Sequence, residues 1–156
     1  MPEVAEVALT AEILNDRLYK QKIEDFEFVS GRYERNNPVG FDEFLEDLPL
    51  RVKKIDSKGK FIWFKLFNGN TNETWYIFNT LGLTGGWSFE ETKYTRAKIT
   101  FNKDTVYFSD QLSYGTLVFT QDKEKLNSKI NELYPDFLKD EFDLSKVQKI
   151  NKPIVD

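Results

Sequence analysis

Residues 60–87 read KFIWFKLFNGNTNETWYIFNTLGLTGGW, and their pattern decides the fold. Two runs rich in aromatic and β-branched residues, KFIWFKLF and TWYIFNT, are separated by the turn-forming stretch NGNTNE. Short runs of this composition, bounded by Asn and Gly, are strands. The flanking sequence repeats the theme. RVKKIDS precedes it, and RAKITF, TVYFS and GTLVFTQ follow, separated by Asn, Gly, Asp and Lys turns. That spacing predicts an antiparallel sandwich or barrel.

Outside the strand-rich middle the period changes. Val4, Val7, Ala8, Ala11, Leu14 and Leu18 recur at helical spacing, so residues 4–19 are expected to form an amphipathic helix. The stretch KIEDFEFVSGRYE alternates as a half-buried strand does. GFDEFLEDLPL reads as a short acidic helix closed by Pro49, and DKEKLNSKINELYPDFL restores a helical period. The expected class is α+β: an antiparallel β-sandwich flanked by an N-terminal helix and a second helix near the C-terminus.

Composition narrows the chemistry. The chain has 156 residues, 40% of them hydrophobic, with 14 Phe, enough for a sizeable core. The apolar runs are short and broken by charge, so no membrane span is expected. The acidic start lacks the basic and apolar regions of a secretory signal, and an intracellular setting is expected. With no Cys there is no disulfide and no Cys-ligated zinc in these residues. With no His there is no Ser-His-Asp triad and no usual zinc hydrolase site. Acid–base chemistry must then use carboxylates, amines, Tyr or water. A net charge of −4 argues against a generally basic nucleic-acid binder, though not against a local basic face.

Four places can carry chemistry, and each also has a plain structural reading. The first is the start, MPEVAEV. Pro and an acid suit a helix N-terminus. Alternatively, removal of Met1 exposes Pro2 as a secondary amine beside Glu3. An α-amine titrates near ~7.7–8 and a Lys near ~10.4, so on the order of a tenth of the terminal amine is unprotonated at neutral pH. Its attack on a sugar aldehyde carbon gives an iminium, an electron sink. Glu3 and Glu6 lie one turn apart; one can protonate a leaving sugar oxygen while the other fixes the terminus. The second place is RVKKIDSKGK, where Arg51, Lys53, Lys54, Lys58 and Lys60 surround a Ser-Lys-Gly-Lys turn. It is either a phosphate site or a solvated basic hairpin. The third is FNTLGLTGGW, with Leu83 and Thr84 expected at an exposed tip: either a wedge for base pairs or a Gly-rich turn. In the fourth, FSDQLSYGTLVF, Leu112 and Tyr114 sit in a loop that either stacks on bases or simply joins strands.

Taken in order, these places resemble the Fpg/Nei family of bifunctional DNA glycosylases. MPEVAEV is similar to the family's Met-Pro-Glu start, with Ala5 where Pro or Gly is usual. Gly59-Lys60 resembles its Gly-Lys at a strand start. Leu81-Gly82-Leu83-Thr84-Gly85 looks like its Leu-Gly-Met-Ser-Gly turn, and Asp110-Gln111-Leu112-Ser113-Tyr114-Gly115 like its Asp-x-Arg-Arg-Phe-Gly loop. LYPDFLKDEFDL resembles its Leu-Gly-Pro-(Asp/Glu)-Pro-Leu segment, and NKPIVD the Pro-Ile leading into a second domain.

The resemblance implies roles. Pro2 would be the Schiff-base nucleophile, Glu3 the acid–base partner, and Lys60 the group on the phosphate beside the extruded nucleotide, supporting catalysis. Glu6 would support the terminus. Leu83 and Tyr114 would help fill the gap left by the flipped base, with Leu112, Lys54 and Lys58 as further DNA contacts. The reaction would be excision of oxidised bases followed by β,δ-elimination, with no metal or cofactor in this chain. Any zinc would sit in the finger of the second domain. The partner would be damaged DNA, without a membrane, and the protein a monomer. Residues 1–140 would be the catalytic sandwich, and 141–156 a linker and the truncated start of a helix–two-turn–helix domain. Leu112 and Ser113 replace the paired Arg of the family loop, and Ala8 replaces an acid common in the Fpg branch. Both departures favour oxidised pyrimidines and ring-opened purines over 8-oxoguanine. The alternatives are a non-catalytic module binding damaged or single-stranded DNA and an 8-oxoguanine-preferring glycosylase.

Overall fold

The computed structural model describes residues 3–138, with side chains through residue 133. In chain order the elements are α1 (Val4–Leu18), β1 (Lys22–Phe28), α2 (Arg32–Arg35), α3 (Phe41–Glu46), β2 (Leu50–Lys58), β3 (Phe61–Phe67), β4 (Thr74–Thr80), β5 (Gly85–Ser88), β6 (Thr95–Phe101), β7 (Thr105–Asp110), β8 (Thr116–Thr120) and α4 (Lys123–Leu138). The chain divides into two units, residues 1–122 and residues 123–156. The described part of the second is α4, the helix expected near the C-terminus, and it carries an ion pair between Lys129 and Glu132 at 3.6 Å. The expected linker at residues 141–156 lies outside the described residues.

All strands of the first unit join one antiparallel eight-stranded sheet in the order β5-β7-β6-β1-β2-β3-β4-β8. Ring contacts show that it folds over itself. Phe26 of β1 meets Phe119 of β8 edge-on at 5.2 Å, although β2, β3 and β4 lie between them in the sheet. Phe64 of β3 likewise meets Trp87 of β5 at 5.3 Å. The two halves therefore close on a common core, as a sandwich does. Its centre is aromatic: Phe26, Phe28, Phe41, Phe44 and Phe119 are all buried, and Phe44 lies 4.8 Å from Phe119. Offset and edge-on ring pairs of this kind add to the burial of their large apolar area. On the other face of β3 and β4, Phe61, Trp63, Tyr76 and Phe78 form a second buried aromatic set. Burial there pushes the Tyr76 phenol above its usual pKa.

Helix α1 lays its buried stripe of Val7, Ala11, Leu14 and Leu18 against β2. β2 bulges between Val52 and Lys54, and the Asn15 side chain of α1 accepts the Ile55 amide at 2.8 Å just beyond. Two elements of the sequence reading change: the end of the Gly-rich stretch FNTLGLTGGW forms the short strand β5, paired with β7, and the strand after α1 is shorter than expected. GRYE does not continue the strand: β1 ends at Phe28, and residues 32–35 form the short helix α2. Gly31, at φ +85°, turns the backbone into a region that extended chain does not visit.

Candidate functional site

Strand register gathers the candidate loops at one end of the sheet. Phe61, the first residue of β3, pairs with Thr80, the last of β4, and Thr80 pairs with Thr116, the first of β8. The Gly59-Lys60 turn, the LGLTG turn after β4 and the loop before β8 therefore emerge side by side. Gly85 of β5 pairs with Asp110, the last residue of β7, which starts the second loop at the same rim. The N-terminal part of α1 adjoins it: Glu6 and Thr10 line an open groove of about 450 Å³ with Leu81, Leu83, Thr84 and Trp87.

The turn after β4 is fixed at both ends. Leu81 is buried on one side. On the other, the Trp87 ring packs against Phe64 and Phe108, and its Nε1 donates to Oδ1 of the fully buried Asn79 at 2.9 Å. Between the two anchors the Leu81 carbonyl accepts the Gly85 amide at 2.8 Å. Gly82 has φ +65°, and a Cβ there would stand 2.9 Å from the Tyr114 carbonyl carbon, so only Gly fits. Leu83 is left 45% exposed at the tip. Thr84, expected beside it in solvent, is instead half-buried and turned inward, its hydroxyl donating to Asp110 Oδ1 and accepting the Leu112 amide.

The loop after β7 is braced from below. Asp110 is buried, and its second oxygen accepts the Gly115 amide at 2.8 Å. Arg96 of β6 donates from Nε to the Asp110 carbonyl at 2.8 Å and from Nη2 to the Gln111 carbonyl at 3.1 Å. Arg32 of α2 donates to the Gly115 carbonyl. On this platform Leu112 is 47% and Tyr114 62% exposed. These two large side chains are thus held out in water on a fixed loop.

At the helix entrance Glu3 is the N-cap residue of α1, and its amide donates to Glu6 Oε1 at 2.8 Å. Glu6 thus folds back to hold the start of the chain, while Glu3 stays exposed. Pro2 lies outside the described residues. Lys60 is exposed in its turn and Lys58 half-buried at the end of β2. The rest of the basic cluster is dispersed. Lys54 sits four residues back along β2, about 13 Å from Lys58 at the usual strand rise, and pairs with Asp56 at 3.3 Å. Lys53 lies over the Phe67 ring, and Arg51 donates to the Lys20 carbonyl. The residues that sequence reasoning missed are Asn79, Arg32, Arg96 and Asp110 as a brace; Asp110, opening the quoted loop motif, was their one visible signal.

Comparison with known proteins identifies the family. The profile of the Formamidopyrimidine-DNA glycosylase N-terminal domain matches residues 1–117, three quarters of the chain and all of the rim. The chain belongs to this family. The family's formamidopyrimidine-DNA glycosylase from Corynebacterium glutamicum is 26% identical over 159 residues, covering 96% of this chain and 56% of that protein. The Thermus thermophilus enzyme is 29% identical over 117 residues, covering 75% of this chain and 39% of its own length. The crystal structure of MutM (Fpg) from T. thermophilus superposes with a TM-score of 0.64 at 26% identity, covering 85% of this chain and 45% of that one. A Lactococcus lactis Fpg mutant in complex with DNA containing Fapy-dG has the same fold, with a TM-score of 0.68 at 19% identity, over 84% of this chain and 48% of that one. This chain thus spans about half the length of the family members it matches. Among the described residues no helix is long and apolar enough to cross a membrane, and no three metal-ligating side chains cluster.

Proposed function

We propose that this chain carries the catalytic half of a base-excision-repair DNA glycosylase with abasic-site lyase activity. The observation that supports it most is the shared rim: the start of α1, the Gly59-Lys60 turn, Leu83, and Leu112 with Tyr114 lie at one sheet end, inside the residues matched to the family.

With Met1 removed, the Pro2 amine attacks C1′ of the damaged nucleoside. The C1′–N bond to the base breaks, and the base leaves with the bonding pair and takes up a proton. Glu3 protonates the ring oxygen as the C1′–O4′ bond opens, leaving a cationic iminium between Pro2 and C1′. The iminium acidifies the C2′ hydrogen; its loss expels the 3′ phosphate, and a second proton loss, from C4′, expels the 5′ phosphate. Water then releases the sugar fragment and regenerates the amine. Lys60 holds the phosphate beside the extruded nucleotide, and Lys58 adds charge at the same turn. Leu83, Leu112 and Tyr114 occupy the space the flipped base vacates, offsetting the loss of stacking.

On this reading, ring-opened purines and oxidised pyrimidines are the favoured substrates over 8-oxoguanine. The relatives' name is formamidopyrimidine-DNA glycosylase, a ring-opened purine being their substrate class. Leu112 and Ser113, where the family loop carries paired Arg, supply no guanidinium to the opposite strand.

Borohydride trapping on abasic DNA tests the reading. The full-length protein is expected to form a covalent adduct, lost when its N-terminus is blocked. Retention of Met1 by intact mass overturns the amine mechanism. Failure of both the full-length protein and this domain to trap leaves the DNA-binding module.

A further inference from the structure

We propose that Asp110 and Thr84 form a positioning pair that couples the two exposed loops, so that Leu83, Leu112 and Tyr114 enter DNA as one unit. The inference rests on the reading of these side chains as the void-filling group.

Leu83 is flanked by an anchor on each side. On one side, Gly82 packs against the backbone of Tyr114, with no room for a Cβ. On the other, the Thr84 hydroxyl donates to Asp110 Oδ1 and accepts the Leu112 amide at 3.0 Å. Both neighbours of Leu83 are thereby fastened to the second loop. Asp110 fastens that loop to itself, since its other oxygen accepts the Gly115 amide at 2.8 Å and its carbonyl accepts the Ser113 amide at 3.3 Å. Leu83 cannot swing without carrying Leu112 and Tyr114 with it.

A carboxylate suits this task because it accepts on two oxygens at once. Its hydrogen-bond partners, one hydroxyl and one amide, are both donors. An Asn there would offer one acceptor and turn an N–H toward a donor. The Thr84 hydroxyl is equally specific, because it donates and accepts in the same place, which Val cannot do. Asp110 and Thr84 are positioning residues. Their own side chains face inward, and they act on DNA through Leu83, Leu112 and Tyr114.

The test uses the full-length protein and a duplex with a tetrahydrofuran abasic analogue beside 2-aminopurine, whose fluorescence rises when the wedge unstacks it. Thr84→Val is expected to lose most of that rise and to weaken binding to the abasic duplex about tenfold. Thr84→Ser, which keeps the hydroxyl, is expected to restore both. Binding to undamaged duplex and trapping on single-stranded abasic DNA, where no void needs filling, are expected to stay near wild type. Asp110→Asn should repeat the pattern; if it fails to fold, Thr84→Val and Thr84→Ser decide alone. Equal losses on single-stranded and duplex abasic DNA, a Thr84→Val variant that keeps the fluorescence rise, or a wild-type protein that shows none, overturns the coupling. Absence of wild-type trapping with the fluorescence pattern intact ends the lyase reading and keeps the coupling.

Discussion

The two ends of the sheet are fastened alike but differ in how much apolar surface their turns present. At the end away from the rim, the turns at residues 19–21, 68–73 and 102–104 are held by buried polar side chains. Asn68 accepts the amides of Asn70 and Thr71, and Gln21 accepts the Lys103 amide while donating to Asp104. The side chains left outside there are mostly polar, among them Lys20, Asn70, Thr71, Asn102 and Lys103, with the Tyr19 ring also 51% exposed. At the rim, Asn79, Thr84 and Asp110 do the same fastening, yet Leu83, Leu112 and Tyr114 are what face water. Turns do not by themselves require exposed apolar tips. Three of them grouped on adjoining loops, against the single Tyr19 ring in the far turns, make the rim the better candidate for meeting another molecule.

A change in the core between the ends should damage both. Phe44 is fully buried, with ring contacts to Phe26, Trp75 and Phe119. Phe44→Ala is expected to cost about 3–5 kcal/mol of stability, read as a lower denaturant midpoint at unchanged m-value. DNA binding should fall only in proportion to the unfolded fraction. A stability loss below ~1 kcal/mol would mean that the aromatic cluster repacks.

Tyr114→Ala breaks the comparison from the other side. With most of its side chain in water, its loss should leave unfolding within about 0.5 kcal/mol of wild type. Affinity for an abasic duplex should drop by the ~1–3 kcal/mol typical of aromatic stacking on a base. Equal binding to abasic and intact duplexes by the wild-type protein would remove Tyr114 from the gap.

Much of this contrast was legible in the chain. Strands β2 to β4 and β6 to β8 follow from aromatic and β-branched runs, and α1 from its stripe at helical spacing, because both patterns are local; β5, of sequence GGWS, lay hidden in the stretch read as a Gly-rich tip. The Gly59-Lys60 turn, LGLTG and the Asp110–Gly115 loop were visible as motifs. What holds them was not. Thr84 meets Asp110 across 26 residues of chain and Arg32 meets Gly115 across 83, and no local period encodes such partners. The short helix α2 was missed for the opposite reason, since a single turn is too brief to establish a period. The basic run misled in part. Charges adjacent in sequence separate along a strand at about 3.3 Å per residue, so Lys54 belongs to mid-strand and Lys60 to the rim.

Lys60→Ala should have a smaller effect than Tyr114→Ala, and of a different kind. One exposed lysine on a phosphate contributes charge without reading sequence, so binding should weaken alike on damaged and undamaged DNA. The slope of log affinity against log salt should fall by about one. Cleavage should slow and the thermal midpoint should not move. An unchanged salt slope and unchanged rate would remove Lys60 from the phosphate.

The smallest effect is expected at the far end, where Asp104 can be tested by pH. Its carboxyl is held below the usual range first by the hydrogen bond from the Gln21 side chain at 2.7 Å, against a desolvation cost, and then by Arg17 at 2.9 Å. A lowered folded-state pKa means that the stabilisation is present above the unfolded value of about 4 and is lost as pH falls through the folded one. Asp104→Asn should therefore be less stable than wild type at neutral pH, by at most about 1 kcal/mol because Arg17 is largely exposed. The gap should begin to narrow below about 4 and close only as pH falls through the lowered folded-state value, where the wild-type carboxyl is protonated as well. Trapping and abasic-DNA binding should match wild type throughout, since this network sits at the end of α1 opposite Glu6. A gap that persists undiminished in acid would mean that Asp104 acts through its shape rather than its charge. A loss of DNA binding would mean that the two ends are not independent, and that the polar fastening at one is transmitted along α1 to the other.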